Sequence, residues 1–184
     1  MTLITMILMI AAIALVWTAI VAFGFRAHKN LLISYLQSFT GALFVFSGAV
    51  KAIDPLGTAY KMEQYFTQFE YTLQGTWFSF FAPIFPKLSD ASATFSVVMI
   101  TFEIVLGVMM LIGARPKVSA WLFFLLVVFF TILTGFTFLT GYVPAEVNFF
   151  EFGKWGAYQA SNMKVTDCGC FGDFMKLEPK ISFM

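Results

Sequence analysis

The stretch ATFSVVMITFEIVLGVMMLIGARPKVSAWLFFLLVVFFTILTGFTFLTGY, residues Ala93 to Tyr142, decides the fold. It holds two apolar runs, 93–113 and 118–142, split only by Ala114-Arg115-Pro116-Lys117. Each is long enough to cross a bilayer, which takes roughly 20 mainly apolar residues in a helix. So short a link between two such runs makes a hairpin of antiparallel spans. Towards the N-terminus, residues 31–53 (LLISYLQSFTGALFVFSGAVKAI) and 3–25 (LITMILMIAAIALVWTAIVAFGF) have the same character. The span 3–25 lacks a basic leader and a small-residue cleavage site before Arg26, so it reads as a retained helix rather than a signal peptide. Composition agrees: the 184-residue chain is 60% hydrophobic and 11% charged, has 25 phenylalanines and a mean hydropathy of +0.85. Those values lie far outside the range of soluble domains. The expected fold class is an all-α polytopic membrane helix bundle with four transmembrane helices, a single membrane domain over 1–184, and the lipid bilayer as its first partner. The net charge is +1 with scattered basic residues, which offers no surface for neutralising phosphates and argues against nucleic acid.

Short loops rich in Lys and Arg stay in the cytoplasm. Arg26 and Lys29 in the first link and Arg115 and Lys117 in the hairpin turn agree on one topology. It leaves 54–92 and 143–184 outside the cytoplasm, in the periplasm if the membrane is a bacterial inner membrane. Asp54-Pro55 supplies an N-cap and a first-turn proline, so a new helix is expected where the second span ends. Leu56, Ala59, Tyr60, Phe66 and Phe69 share one of its faces, opposite Lys61, Gln64 and Gln68, as in an amphipathic helix lying in the interface. Thr76 to Leu88 is aromatic but short and interrupted by Pro83 and Pro86, which suits a segment that dips into the headgroup layer and returns.

Polar groups inside the spans mark the candidate sites. Glu103 lies about ten residues from either end of its span, and such a carboxylate is costly in hydrocarbon unless neutral or paired. Lys51, near the end of the second span, can snorkel to the surface or reach towards Glu103. Two readings stand side by side: a clamp between helices, or a proton or quinone site. Gly41 and Gly48, with Ser34 and Ser38 on nearby turns, form a strip of small residues suited to close helix approach.

The only two cysteines, Cys168 and Cys170, flank Gly169 in KVTDCGCFGDFMK, residues Lys164 to Lys176. An extended chain sets their Cα atoms about 7 Å apart, at the outer limit for a disulfide, so pairing needs the bend that Gly169 allows. A ring that small is strained, and strained exposed disulfides exchange readily. As a staple it would add little, because the loop it closes is short. Phe171 and Gly172, with Asp167 and Asp173 on either side, suggest a tight turn that presents the pair. The lone His28 is in the cytoplasmic link, away from the cysteines, and two thiolates supply only half of a tetrahedral metal site. No metal is therefore assigned.

Three blocks, GALFVFSGAVKAIDPLGTAYKMEQY (Gly41 to Tyr65), FEIVLGVMMLIGARPKVSAW (Phe102 to Trp121) and DCGCFGD (Asp167 to Asp173), resemble the DoxX-like membrane family in its MauE branch, most closely the versions found in Bacteroidetes. The resemblance covers roughly Gly41 to Asp173. It implies a four-helix core, with Lys51, Asp54, Pro55, Glu103 and Gly107 at family positions and Cys168 to Gly172 matching a Cys-Gly-Cys-Phe-Gly signature. MauE proteins are associated with disulfide formation in a periplasmic methylamine dehydrogenase subunit, and DoxX proteins with quinone-linked oxidoreduction. The family's usual first helix corresponds to the second span here, which makes 3–25 an addition. The family also has a helix after the cysteine motif, so a natural chain continuing beyond Met184 is expected. Nothing in the residues themselves points to methylamine.

Two functions follow. In the first, the chain is an inner-membrane thiol–disulfide redox protein with Cys168 and Cys170 as exchange pair, quinone as candidate acceptor and a periplasmic client. In the alternative it is a non-enzymatic subunit or scaffold of an envelope complex, whose association with its partner survives loss of both cysteines.

Overall fold

The computed structural model describes residues 3–24, 30–144, 146–163 and 165. Among them, every regular element is helical. The long helices are α1 (Leu3–Gly24), α2 (Leu31–Ile53), α3 (Pro55–Leu73), α5 (Ser92–Leu111) and α6 (Pro116–Thr140), with the short α4 (Ile84–Asp90) between α3 and α5. Of these, α1, α2, α5 and α6 are long and apolar enough to cross a membrane. The protein is thus an all-α, multi-pass membrane helix bundle.

Helix ends follow local chemistry. The hairpin turn begins earlier than the hydropathy suggests, because Gly113 takes φ +69° and ends α5: its N–H bonds to Met110 C=O (3.2 Å) and that of Ala114 to Met109 C=O (2.9 Å). This paired pattern around a left-handed glycine is a standard helix stop. Pro116 then opens α6, where its missing N–H costs nothing. At the other end of α2, the Asp54 carboxylate accepts from Gly57 N–H at 3.0 Å and caps α3, with Pro55 in the first turn. Pro83 and Pro86 do not keep the aromatic segment from being helical. Pro86 is in the first turn of α4, where no backbone donor is required.

Packing centres on α2 and α5, which run antiparallel. A Cβ placed on Gly107 would lie 2.8 Å from the Gly41 carbonyl oxygen, and one on Gly41 would lie 2.9 Å from that of Gly107. A Cβ on Gly48 would lie 2.6 Å from Ile104 Cγ1. The small-residue strip on α2 therefore has its counterpart in Gly107. Leu106 and Met110 of α5 join Leu126 of α6 in a cluster with Phe44, Phe123 and Phe130. Helix α1 lies along α2 through Met6, Ile10, Ala14, Thr18 and Ala22, a stripe with a strict four-residue period. Its Trp17 donates from Nε1 to the Leu111 carbonyl (3.0 Å), and Gln37 of α2 donates to that of Met110 (2.6 Å). The last turn of α5 is thus fastened to both neighbours. Large apolar side chains such as Ile4, Phe23, Leu32, Trp121 and Ile132 face outward, where lipid rather than water receives them.

Helix α3 crosses the Asp54 end of the bundle. Ser96 of α5 donates to the Pro55 carbonyl (2.6 Å), and the Tyr65 and Thr137 hydroxyls are bonded at 3.0 Å, tying α3 to α6. Its apolar face is shared out: Ala59 and Tyr65 are buried, Phe66 and Phe69 stack on Phe85, Phe95 and Phe136, and Leu56 and Tyr60 point outward.

Because the α2–α5 contact has no space for a methyl group, Gly107→Ala and Gly41→Ala should each destabilise the bundle by about 2 kcal/mol or more. Gly24→Ala, with nothing near its Cβ position, should be neutral. Thermal unfolding in detergent measures both, and equal midpoints for all three variants would refute the packing.

Candidate functional site

Lys51 lies in the last turn of α2 and Glu103 near the middle of α5. Because the glycines hold α2 and α5 together, the lysine stem needs only to run down the groove to reach the carboxylate. Nζ is 2.7 Å from Oε1 and 2.9 Å from Oε2. Both residues are almost fully enclosed, at 3% and 2% exposure. The ammonium therefore turns inward and does not snorkel to the surface. Ser47, one helical turn before Lys51, hydrogen-bonds to the same carboxylate. On the third side, the Phe130 ring of α6 has its centroid 5.2 Å from Nζ, a cation–π contact.

Each group meets a specific need. Two full charges in hydrocarbon incur a desolvation cost that their attraction offsets only with good geometry and further hydrogen bonds. The two-oxygen contact, the serine hydroxyl and the ring face supply these. Chemically, the arrangement can hold an ion pair together, or pass a proton between ammonium and carboxylate when a third group intrudes. Asp54, three residues after Lys51, is exposed and engaged in capping α3, so its carboxylate is occupied with Gly57 rather than with the buried pair.

A second polar feature extends from the pair towards the Asp54 end. On α6, Thr134, Thr137 and Thr140 are buried at three-residue spacing. Thr134 bonds back to the Phe130 carbonyl (2.8 Å), Thr140 to that of Thr137 (2.6 Å), and Thr137 meets Tyr65. Beyond α6 the chain folds back on the same end. Gly156 N–H bonds to Tyr142 C=O (2.9 Å), Gln159 N–H to Gly141 C=O (2.9 Å), and Tyr158 packs on Phe138 and Tyr142. Val165 is buried at 2% exposure. Cys168, Gly169, Cys170, Phe171 and Gly172 lie outside the described residues, as does His28.

The sequence alone brought forward Lys51 and Glu103 but not Ser47, Phe130 or the threonine row. Signals existed for two of these. Ser47 lies four residues before Lys51, hence on the same helical face, and TILTGFTFLT (Thr131 to Thr140) repeats threonine every three residues in an otherwise apolar span. Phe130 is one phenylalanine among many, and only the bundle singles it out.

The family described as Methylamine utilisation protein MauE matches residues 29–145, a region that includes α2 to α6 and the Lys51–Glu103 pair and omits α1. No curated protein and no solved structure matches the chain. With well over half of its length covered, the chain belongs to the MauE family of DoxX-like membrane proteins.

Proposed function

We propose that this chain is an accessory membrane protein of thiol–disulfide chemistry outside the cytoplasm, in methylamine utilisation or a comparable maturation task, with Cys168 and Cys170 as its exchange pair. A client thiolate attacks the Cys168–Cys170 disulfide, forming a mixed disulfide as the internal S–S bond breaks. A second client thiolate then displaces the motif cysteine. The client leaves with a disulfide, and the motif keeps two electrons and two protons as a dithiol. A bilayer quinone takes these up and becomes the quinol, and Lys51 and Glu103 serve as the intramembrane groups that handle its protons. The membrane is the bacterial inner membrane, with the cysteine motif on the periplasmic side.

One observation carries the reading. The described chain after α6, which leads into the motif, folds against the end of the bundle where α2 delivers Lys51. A buried intramembrane charge is a functional group by default, and the described chain that precedes the motif packs at the end of the bundle from which Lys51 reaches inward.

Two measurements test it. Cys168→Ser and Cys170→Ser should each leave clients outside the cytoplasm reduced, read by alkylation and mass shift. Wild-type thiol states in both variants would sink the redox assignment. For the buried pair, Lys51→Met or Glu103→Leu alone strands a charge and should cost about 3–5 kcal/mol, whereas the double variant should regain most of that stability. If the pair handles protons, the stable double variant still fails to oxidise clients. Recovery of activity along with stability would reduce the pair to a clamp.

A further inference from the structure

The opposite end of the bundle, where the hairpin turn lies, contains a cleft of about 610 Å³ bounded by α1, α2 and the α5–α6 turn. That is within the range of volumes that hold a small ligand. Its apolar wall is Trp17 and Val21 of α1 with Met110 to Ile112 of α5, and its polar wall is Ser34, Gln37 and Ser38 of α2. Ser38 is only 7% exposed, lines the cleft, and makes no hydrogen bond within the described protein. Gln37 spends its amide N–H on Met110 C=O, which leaves its carbonyl oxygen free to accept. The Ser38 hydroxyl and the Gln37 carbonyl oxygen are therefore polar groups in the cleft wall that a ligand can engage.

Charge narrows the occupant. Among the described residues, the ionisable groups at this end are Arg115 and Lys117, both exposed, on the turn whose Gly113 and Pro116 line the cleft. The described acids outside the membrane-spanning helices, Asp54, Glu63, Glu70, Asp90, Glu146 and Glu151, all belong to the other end. Helix α6 also begins here without a side-chain cap, and an uncapped helix start favours negative charge. An apolar wall, hydroxyl and amide groups beneath a cationic rim, and a bilayer alongside match one class of molecule.

We propose that this cleft binds the phosphate and glycerol region of an anionic phospholipid. Arg115 and Lys117 face the phosphate, Ser34, Gln37 and Ser38 meet the glycerol and ester oxygens, and the acyl chains run down beside α1. One wall of the site, α1, lies outside the residues that match the family. The proposal is independent of the cysteine chemistry.

Native mass spectrometry of the detergent-solubilised chain, titrated with phosphatidylglycerol or with phosphatidylcholine of the same acyl chains, tests it. The wild type should retain a single phosphatidylglycerol and release phosphatidylcholine. Replacing both cations (Arg115→Gln with Lys117→Gln), which are exposed and outside the packing, should weaken retention about 30-fold. Ser38→Leu should abolish it by filling the polar wall. If that variant fails to elute as a folded species, Ser34→Leu, at a half-buried position, takes its place. Equal retention of the two lipids, or undiminished phosphatidylglycerol binding in the charge variant, would overturn the proposal. Binding of soluble glycerol 3-phosphate as tight as that of the lipid would overturn it too, by making the ligand a solute.

Discussion

Everything in this bundle depends on how closely α2 and α5 approach. In lipid, apolar side chains gain little by leaving one another for hydrocarbon, so helices are held by surface fit and by polar contacts. Gly41 and Gly107 let the two backbones meet at each other's carbonyls, and Gly48 does the same against Ile104. That proximity lets a lysine from the last turn of one helix close on a glutamate in the middle of the other. With bulkier residues at the crossing, the two charges would be separated in a medium that cannot solvate them. The glycines and the ion pair thus act as one device: the first sets the distance and the second makes departure from it costly.

The distribution of polarity follows from the same solvent. Ile4, Phe23, Leu32 and Trp121 face out, while Ser38, Ser47, Ser96, Ser119, Thr134 and Thr137 are buried. Their hydroxyls bond to backbone carbonyls, to other hydroxyls or to the ion pair, and their small size permits close packing. Ser38 instead faces a cleft, and among the described residues the buried hydroxyl left without a partner is that of Thr58 on α3.

Most of the fold was legible because the bilayer imposes length. Spans expected at 31–53, 93–113 and 118–142 correspond to α2, α5 and α6, with end shifts of two residues or fewer at the hairpin turn. There hydropathy continued through Ile112 and Gly113, but the left-handed glycine had already stopped the helix. Asp54-Pro55 read correctly because capping is local chemistry. The site was half legible. A carboxylate and an ammonium in apolar spans announce themselves, yet nothing in a single chain states which helices touch. The roles of Phe130, Tyr65, Trp17 and Gln37 therefore emerged only with the packing. Trp17 in particular is not singled out by the sequence, yet its indole N–H is bonded to the end of α5.

The two ends of the bundle have opposite chemistry, and each suits its own task. The Asp54 end gathers α3, the aromatic segment and the returning chain after α6, and it carries acids and bases together. Mixed charge there suits a folded layer outside the hydrocarbon. The Arg115 end is short, with only a tight turn between α5 and α6, and its described charges are cations. On the Asp54 side, Tyr65 of α3 and the threonines of α6 place buried hydroxyls between the pair and that layer. On the other side of the pair, the α2–α5 crossing at Gly41 and Gly107 brings backbone against backbone.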